Sequence, residues 1–300
     1  MKTIVYLTRR NVKLFFRDKA MFFTSLITPL ILLVLYTTFL SNVYKDGFMA
    51  AIPNVFTPDE KLIDGLVAGQ LISSLLAVSC ITVSFCSNFL MVQDKSNGTY
   101  KDLNMSAITP SQLSISYYAA TLISTFIVCY TATALSFVFV AFKGWYMSFI
   151  DALLFMLDVF VLVLFGTALS SIVSYFLSTQ GQISAVGSIV SSVYGFICGA
   201  YMPISSFGSG LRKVVSFLPG TYGTSLLRNH AMRGVLSEME RDGLPLEVIK
   251  GLKDSVDCNI YCFNKAIPTS VMLLLLLGAV LLCVTVYVML NVFKKPSKSI

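Results

Sequence analysis

Few residues of this chain could make or break a bond. His230 is the sole histidine, which excludes a two-histidine zinc motif and argues against a histidine-based triad. No GxxxxGK[ST] stretch occurs, so the chain cannot cradle ATP phosphates in a P-loop. Paired acids of the DDxxD kind and His-rich clusters are also missing. Five cysteines, Cys80, Cys86, Cys129, Cys198 and Cys283, lie in apolar stretches, where a thiol behaves as a small hydrophobe. Cys258 and Cys262 fall in a polar segment and are either a disulfide of an oxidising exterior or two unpaired thiols. Asp158 stands deep inside an apolar run. It reads either as a contact on a translocation path or as a carboxyl hydrogen-bonded to Ser or Thr of another helix.

The elements that must carry these residues are set by composition. Apolar residues make up 56% of the 300 and charged ones 12%, about half the ~25% usual in soluble chains. Too few charges remain to cover a globular surface, and a multispanning membrane protein follows. Each crossing needs ~20 apolar residues. The apolar runs predict an all-α polytopic protein with six transmembrane helices near 22–40, 66–92, 113–141, 148–176, 184–202 and 268–291. The runs lack the alternation of a membrane strand. The first apolar stretch is longer than a signal peptide's 7–15 residues, so a retained anchor is expected.

Lys and Arg set the expected orientation. With the N-terminus inside, the cytoplasmic segments hold eleven basic residues and the short external ones three: Lys45, Lys61 and Lys143. Both termini are therefore expected in the cytoplasm. The +7 net charge reads as topology plus attraction to anionic headgroups, with no nucleic-acid partner.

Residues 1–21 form an amphipathic pattern. Ile4, Val5, Leu7, Val12, Leu14, Phe15 and Phe16 gather on one side, with Lys2, Arg9, Arg10, Lys13 and Arg17 on the other. That predicts an interfacial helix, apolar face down, serving as a plain anchor or as an elbow that moves with a cytoplasmic partner. In the loop 93–112, Gly98 suits a break and Thr99 a cap, opening a short helix with Tyr100, Leu103 and Met105 turned outward. After the fifth span, Pro203, Gly208, Gly210, Pro219 and Gly220 divide the chain into pieces too short to cross, predicting a re-entrant external element. Gly187, Ser191, Gly195 and Gly199 recur every fourth residue and would let a helix approach closely, across a dimer interface or within the chain.

Three of these segments resemble the type-2 ABC transporter permease family. Arg10-Asn-Val-Lys-Leu-Phe-Phe-Arg-Asp18 leading into Thr28-Pro-Leu-Ile-Leu32 is similar to the family's entrance sequence. The stretch from Asp94 through Gly98-Thr99 to Pro110 is similar to its acidic, Gly-Thr, Leu, Pro loop, with Asp94 where glutamate is commoner. Leu218-Pro219, Tyr222, Leu227-Arg228 and Gly234 resemble its third pattern. The resemblance implies one permease domain over 1–300: elbow 1–21, helices one and two 22–92, coupling loop 93–112, helices three to five 113–202, re-entrant and external loop 203–266, and helix six with its tail 267–300. It implies a second permease subunit, identical or related, separate ABC ATPase subunits holding ATP and Mg, and no cofactor on this chain. By the same resemblance Asp94–Met105 holds the coupling helix, Arg10, Phe15, Phe16, Arg17 and Asp18 belong to the elbow, and the first, second and fifth spans form the dimer interface. A plasma-membrane exporter of amphipathic, lipid-like, drug or peptide cargo is the expectation. A stand-alone secondary transporter or channel is the alternative, and would need intramembrane carboxylates in symmetric halves.

Overall fold

The computed structural model describes residues 1–52, 59–262 and 265–292, without the side chains of Thr28, Cys262 and Val292. It is 85% helical, as an all-α membrane protein requires. Among the described residues, five helices are long and apolar enough to cross a bilayer: Lys19–Ala51, Glu60–Ser96, Pro110–Lys143, Phe149–Phe176 and Thr269–Asn291.

The first helix, α1 (Lys2–Arg17), buries Leu7, Asn11 and Phe15, one residue per turn. Of the apolar face expected from the sequence, Leu7 and Phe15 are buried, Ile4, Val12, Leu14 and Phe16 are half-buried, and Val5 is exposed. At Asp18 the backbone turns extended, and its Oδ1 accepts from the Met21 amide at 3.0 Å. The bend between α1 and α2 (Lys19–Leu35) is thus an N-cap. A π-turn at Tyr36–Leu40 continues α2 into α3 (Ser41–Ala51), so the helix runs eleven residues past its expected end.

The bundle is built around α4 (Glu60–Ser96), which packs against α2, α6, α7, α8 and α10 and is buried along nearly its whole length. Next come α5 (Thr99–Met105), α6 (Pro110–Lys143), α7 (Phe149–Phe176), α8 (Gln180–Ile197), α9 (Ser209–Ser216), α10 (Pro219–Arg241), α11 (Leu246–Ser255) and α12 (Thr269–Val292). A two-residue antiparallel pair, β1 (Tyr261–Cys262) and β2 (Lys265–Ala266), sits before α12. Capping boxes fix three of the starts: Thr109 with Gln112 for α6, Ser148 with Asp151 for α7, and Thr179 with Gln182 for α8.

Two expectations change here. The sequence predicts the fifth span at 184–202, but α8 begins at Gln180, ends at Ile197 and is not among the five long apolar helices. The segment after it is not only short pieces, because α10 is a continuous 23-residue helix packed against α4, α7 and α12. The two helices follow one another along α4. Gly187 of α8 lies against Phe89, and Met232 of α10 lies against Gly69. Where they meet, the Thr221 hydroxyl donates to the Ile197 carbonyl at 3.5 Å.

Candidate functional site

At the end of the bundle beside α5, Asp94 is buried and gathers three elements. Its Oδ2 accepts from Arg10 of α1 at 2.8 Å and from the Tyr117 hydroxyl of α6 at 2.5 Å. Burial works against the Arg10 charge, but the Asp94 carboxylate outweighs it and holds the guanidinium above its ordinary pKa. One residue on, Lys95 donates to the carbonyls of Ser174, Tyr175 and Leu177 at 2.8, 2.8 and 3.0 Å, closing the C-terminus of α7. Adjacent side chains of α4 thereby fix α1 and α6 on one side and α7 on the other.

The short helix follows at once. Gly98 is its N-cap in the left-handed region, at φ +83, so Thr99 is its first residue and not the cap. The outward apolar face expected for α5 is mostly turned in. Tyr100 stacks on Tyr117 with centroids 6.3 Å apart. Leu103 packs on the cluster of Leu7, Met91, Leu113 and Tyr117. Only Met105 stands clear, 79% exposed. The helix therefore rests on the same tyrosine that Asp94 anchors, a partner that sequence spacing gave no means of finding.

The segment expected outside the membrane holds two buried polar nodes. Arg228 of α10 is 1% exposed. It donates to the carbonyls of Val256 (2.8 Å) and Gly199 (2.6 Å), to Ser74 Oγ (3.2 Å) and to Asp257 Oδ2 (3.4 Å). Burial pushes the Asp257 carboxyl up, while Arg228 and the amides of Ile204 and Ser205 pull it down. Two residues along α10, His230 Nδ1 meets Asp158 Oδ2 at 2.5 Å. The partner of Asp158 is thus a histidine from the supposed external loop, not Ser or Thr. Arg233 pairs with Asp151 near the start of α7. At Gly234 a Cβ would collide with the Tyr146 carbonyl, which explains glycine there.

Pro203 precedes a short 3-10 turn, Pro219 is the first residue of α10, and the Tyr222 hydroxyl donates to the Ser216 carbonyl at 2.7 Å. Residues of the small-residue stripe touch neighbours in their own chain. Gly187 meets Phe89, Gly195 meets the Tyr201 ring, and the Ser191 carbonyl accepts from Tyr201 at 3.1 Å. Gly199 lies beyond the helix end at φ +74. Phe15 and Phe16 pack edge to face with centroids 5.1 Å apart, next to Phe22, while Arg17 is exposed beside the Asp18 cap. Cys258 is buried, and burial pushes its thiol up to about 12. The side chain of Cys262, and with it the proposed pairing, lies outside the described residues. Among the described residues no cluster of His, Cys, Asp and Glu could hold a metal.

Asp158 supplies a first prediction. Asp158→Asn keeps an acceptor at His230 and is expected to lower the thermal midpoint only slightly. Asp158→Ala leaves a buried imidazole without its partner and should cost ~1–3 kcal/mol. Equal midpoints for the two variants in a detergent melt would show that the pair contributes nothing to holding α10 on α7. Loss of transport in Asp158→Asn with unchanged folding would instead assign Asp158 to the translocation path.

Among curated proteins, none matches the sequence. The sequence pattern of the ABC-2 type transporter family does, over residues 2–231, taking in α1, the α5 loop and most of α10. A bundle with five membrane-length helices and that match over well more than half its length make this chain a multi-pass membrane permease belonging to the ABC-2 type transporter family.

Proposed function

We propose that the chain is the permease subunit of an ATP-driven exporter, working with a second permease subunit and with separate ATPase subunits that carry ATP and Mg. Both termini and α5 face the cytoplasm of a plasma-membrane protein. The cargo is amphipathic: lipid-like, drug or peptide. The observation that carries this reading is the attachment of α5. Its Tyr100 and Leu103 rest on Tyr117 and the cluster around it, and Asp94 ties that tyrosine to α1 and α4. Force applied to α5 reaches three helices without passing through a flexible joint. Closure of the partner ATPases would move α1, α4 and α6 together and tilt the bundle between inward- and outward-facing states. The positive-inside count supports the same orientation. α8 and α10 in series supply the sixth crossing.

Met105, the exposed apolar residue of α5, is the point at which the ATPase would dock. Met105→Glu is expected to leave the thermal midpoint unchanged and to lower co-purification of the ATPase by about tenfold or more, the effect of losing an interface anchor. Wild-type association in this variant would remove α5 as the docking helix. Movement of solute down an ion gradient by the purified chain alone would overturn the exporter reading itself.

A further inference from the structure

A groove of about 530 Å³ runs down the flank of the bundle between α2, α4 and α6. Leu26, Leu30 and Leu33 form one wall, Leu75 the floor, and Val128 and Leu135 the other wall. Three of its hydroxyls are already committed. Thr37 donates to the Leu33 carbonyl and Thr131 to that of Ile127, each at 2.8 Å, and Tyr36 to that of Ala200 at 3.3 Å. Such a lining suits a hydrocarbon chain better than a polar solute. From Phe22 to Thr37 the groove follows 15 residue steps along α2 and into the π-turn that continues it, roughly 22 Å at 1.5 Å per residue. That exceeds the ~15 Å depth of one leaflet, half of a ~30 Å hydrocarbon core. Leu30, Leu33, Ile127 and Leu135 on its rim are exposed, so the groove opens sideways, where lipid stands.

Charge gives the groove a direction. At its Phe16 and Phe22 end the chain carries Lys13, Arg17 and Lys19, all exposed. None of the three has an ion-pair partner among the described residues. The local acid, Asp18, is engaged with the Met21 amide. Toward the opposite end Lys45 pairs with Glu60 at 2.7 Å and Lys143 with Asp64 at 3.9 Å, and Lys61 stands near the acids Asp59, Glu60 and Asp64 in sequence. A net positive charge beside one mouth of an apolar channel fits a negative headgroup above an acyl chain.

We propose that the groove between α2, α4 and α6 binds one acyl chain of an anionic phospholipid, with the headgroup held by Arg17 and Lys19 at the α1–α2 bend. The site is separate from the α5 node and does not depend on which cargo the permease carries.

The test uses the full chain in phosphatidylcholine vesicles, with Trp145→Phe removing the sole tryptophan and Phe139→Trp placing a reporter in the groove. Leu135→Trp, on the rim, replaces that reporter if its thermal midpoint falls. Phosphatidylglycerol with brominated acyl chains, added as a minor component, is expected to quench about fivefold or more effectively than brominated phosphatidylcholine at the same mole fraction. Arg17→Gln with Lys19→Gln should erase the preference. A control reporter at the exposed Phe160 of α7 should show none. Equal quenching by the two lipids would overturn the proposal, as would the same preference at Phe160. Absence of quenching, as when a second protein copy covers the groove, would overturn it too.

Discussion

Arg228→Met is expected to abolish recovery of folded protein, or to lower its stability by ~3–5 kcal/mol where any is recovered. The guanidinium is fully buried and satisfies the carbonyls of Val256 and Gly199, the Ser74 hydroxyl and the Asp257 carboxylate. Methionine matches much of its volume, so lost packing is a minor part of the effect. What remains is a set of buried acceptors with nothing to accept from, one of them a carboxylate. A loss of that size is a large fraction of the ~5–15 kcal/mol that keeps a typical domain folded. Arg228→Lys retains the charge but not the planar fork, and cannot reach four acceptors from one ammonium. It should fall between the two. Yield of monodisperse protein and the detergent thermal midpoint measure the series. An unchanged midpoint in Arg228→Met would mean that α10 is held by its apolar contacts alone.

The second large effect is expected at Asp94. Asp94→Ala removes the acceptor of the Tyr117 hydroxyl and the counter-charge of Arg10 together, leaving a buried phenol unpaired and α1 held only by its apolar stripe. Transport should fall by at least about tenfold, corresponding to ~1.4 kcal/mol of lost coupling. Asp94→Asn separates the two roles, since an amide oxygen still accepts from Tyr117 while the attraction to Arg10 is lost. Transport should survive in Asp94→Asn if the tyrosine bond transmits the motion, and fail in both variants if the ion pair does. Vesicle uptake, with ATPase turnover measured alongside, distinguishes these outcomes. Full transport in Asp94→Ala would exclude the node from coupling.

Much of the helical frame was legible because hydropathy and caps are local. The span expected at 148–176 is found at Phe149–Phe176, since Ser148 and Asp151 announce its start. The one expected from 113 begins at Pro110, where Thr109 and Gln112 form a cap inside what read as a polar lead-in. α10 was missed for the opposite reason. Arg228, Asn229, His230 and Arg233 give it the look of an exposed loop, yet the first, third and fourth meet Asp257, Asp158 and Asp151. Pairing across a fold cancels charge in a way that no running average along the chain detects. The coupling loop was legible as a break and a short helix. Its inward-facing Tyr100 was not, because the surface that receives it comes from Tyr117 on another helix.

One consequence follows from the burial of α4. It is no more apolar than the other long helices, yet nearly all of it is packed inside the protein. Freed from contact with hydrocarbon, it can carry Gln70, Ser73, Ser74, Ser79, Thr82, Ser84, Ser87 and Asn88 inside. Thinning or thickening of the surrounding bilayer therefore acts on the exposed flanks of α2 and α12, not on this helix. α4 is the keel of the molecule: a change of membrane makes the hull lean around it, while the alignment of the Asp94 and Arg228 anchorages is preserved.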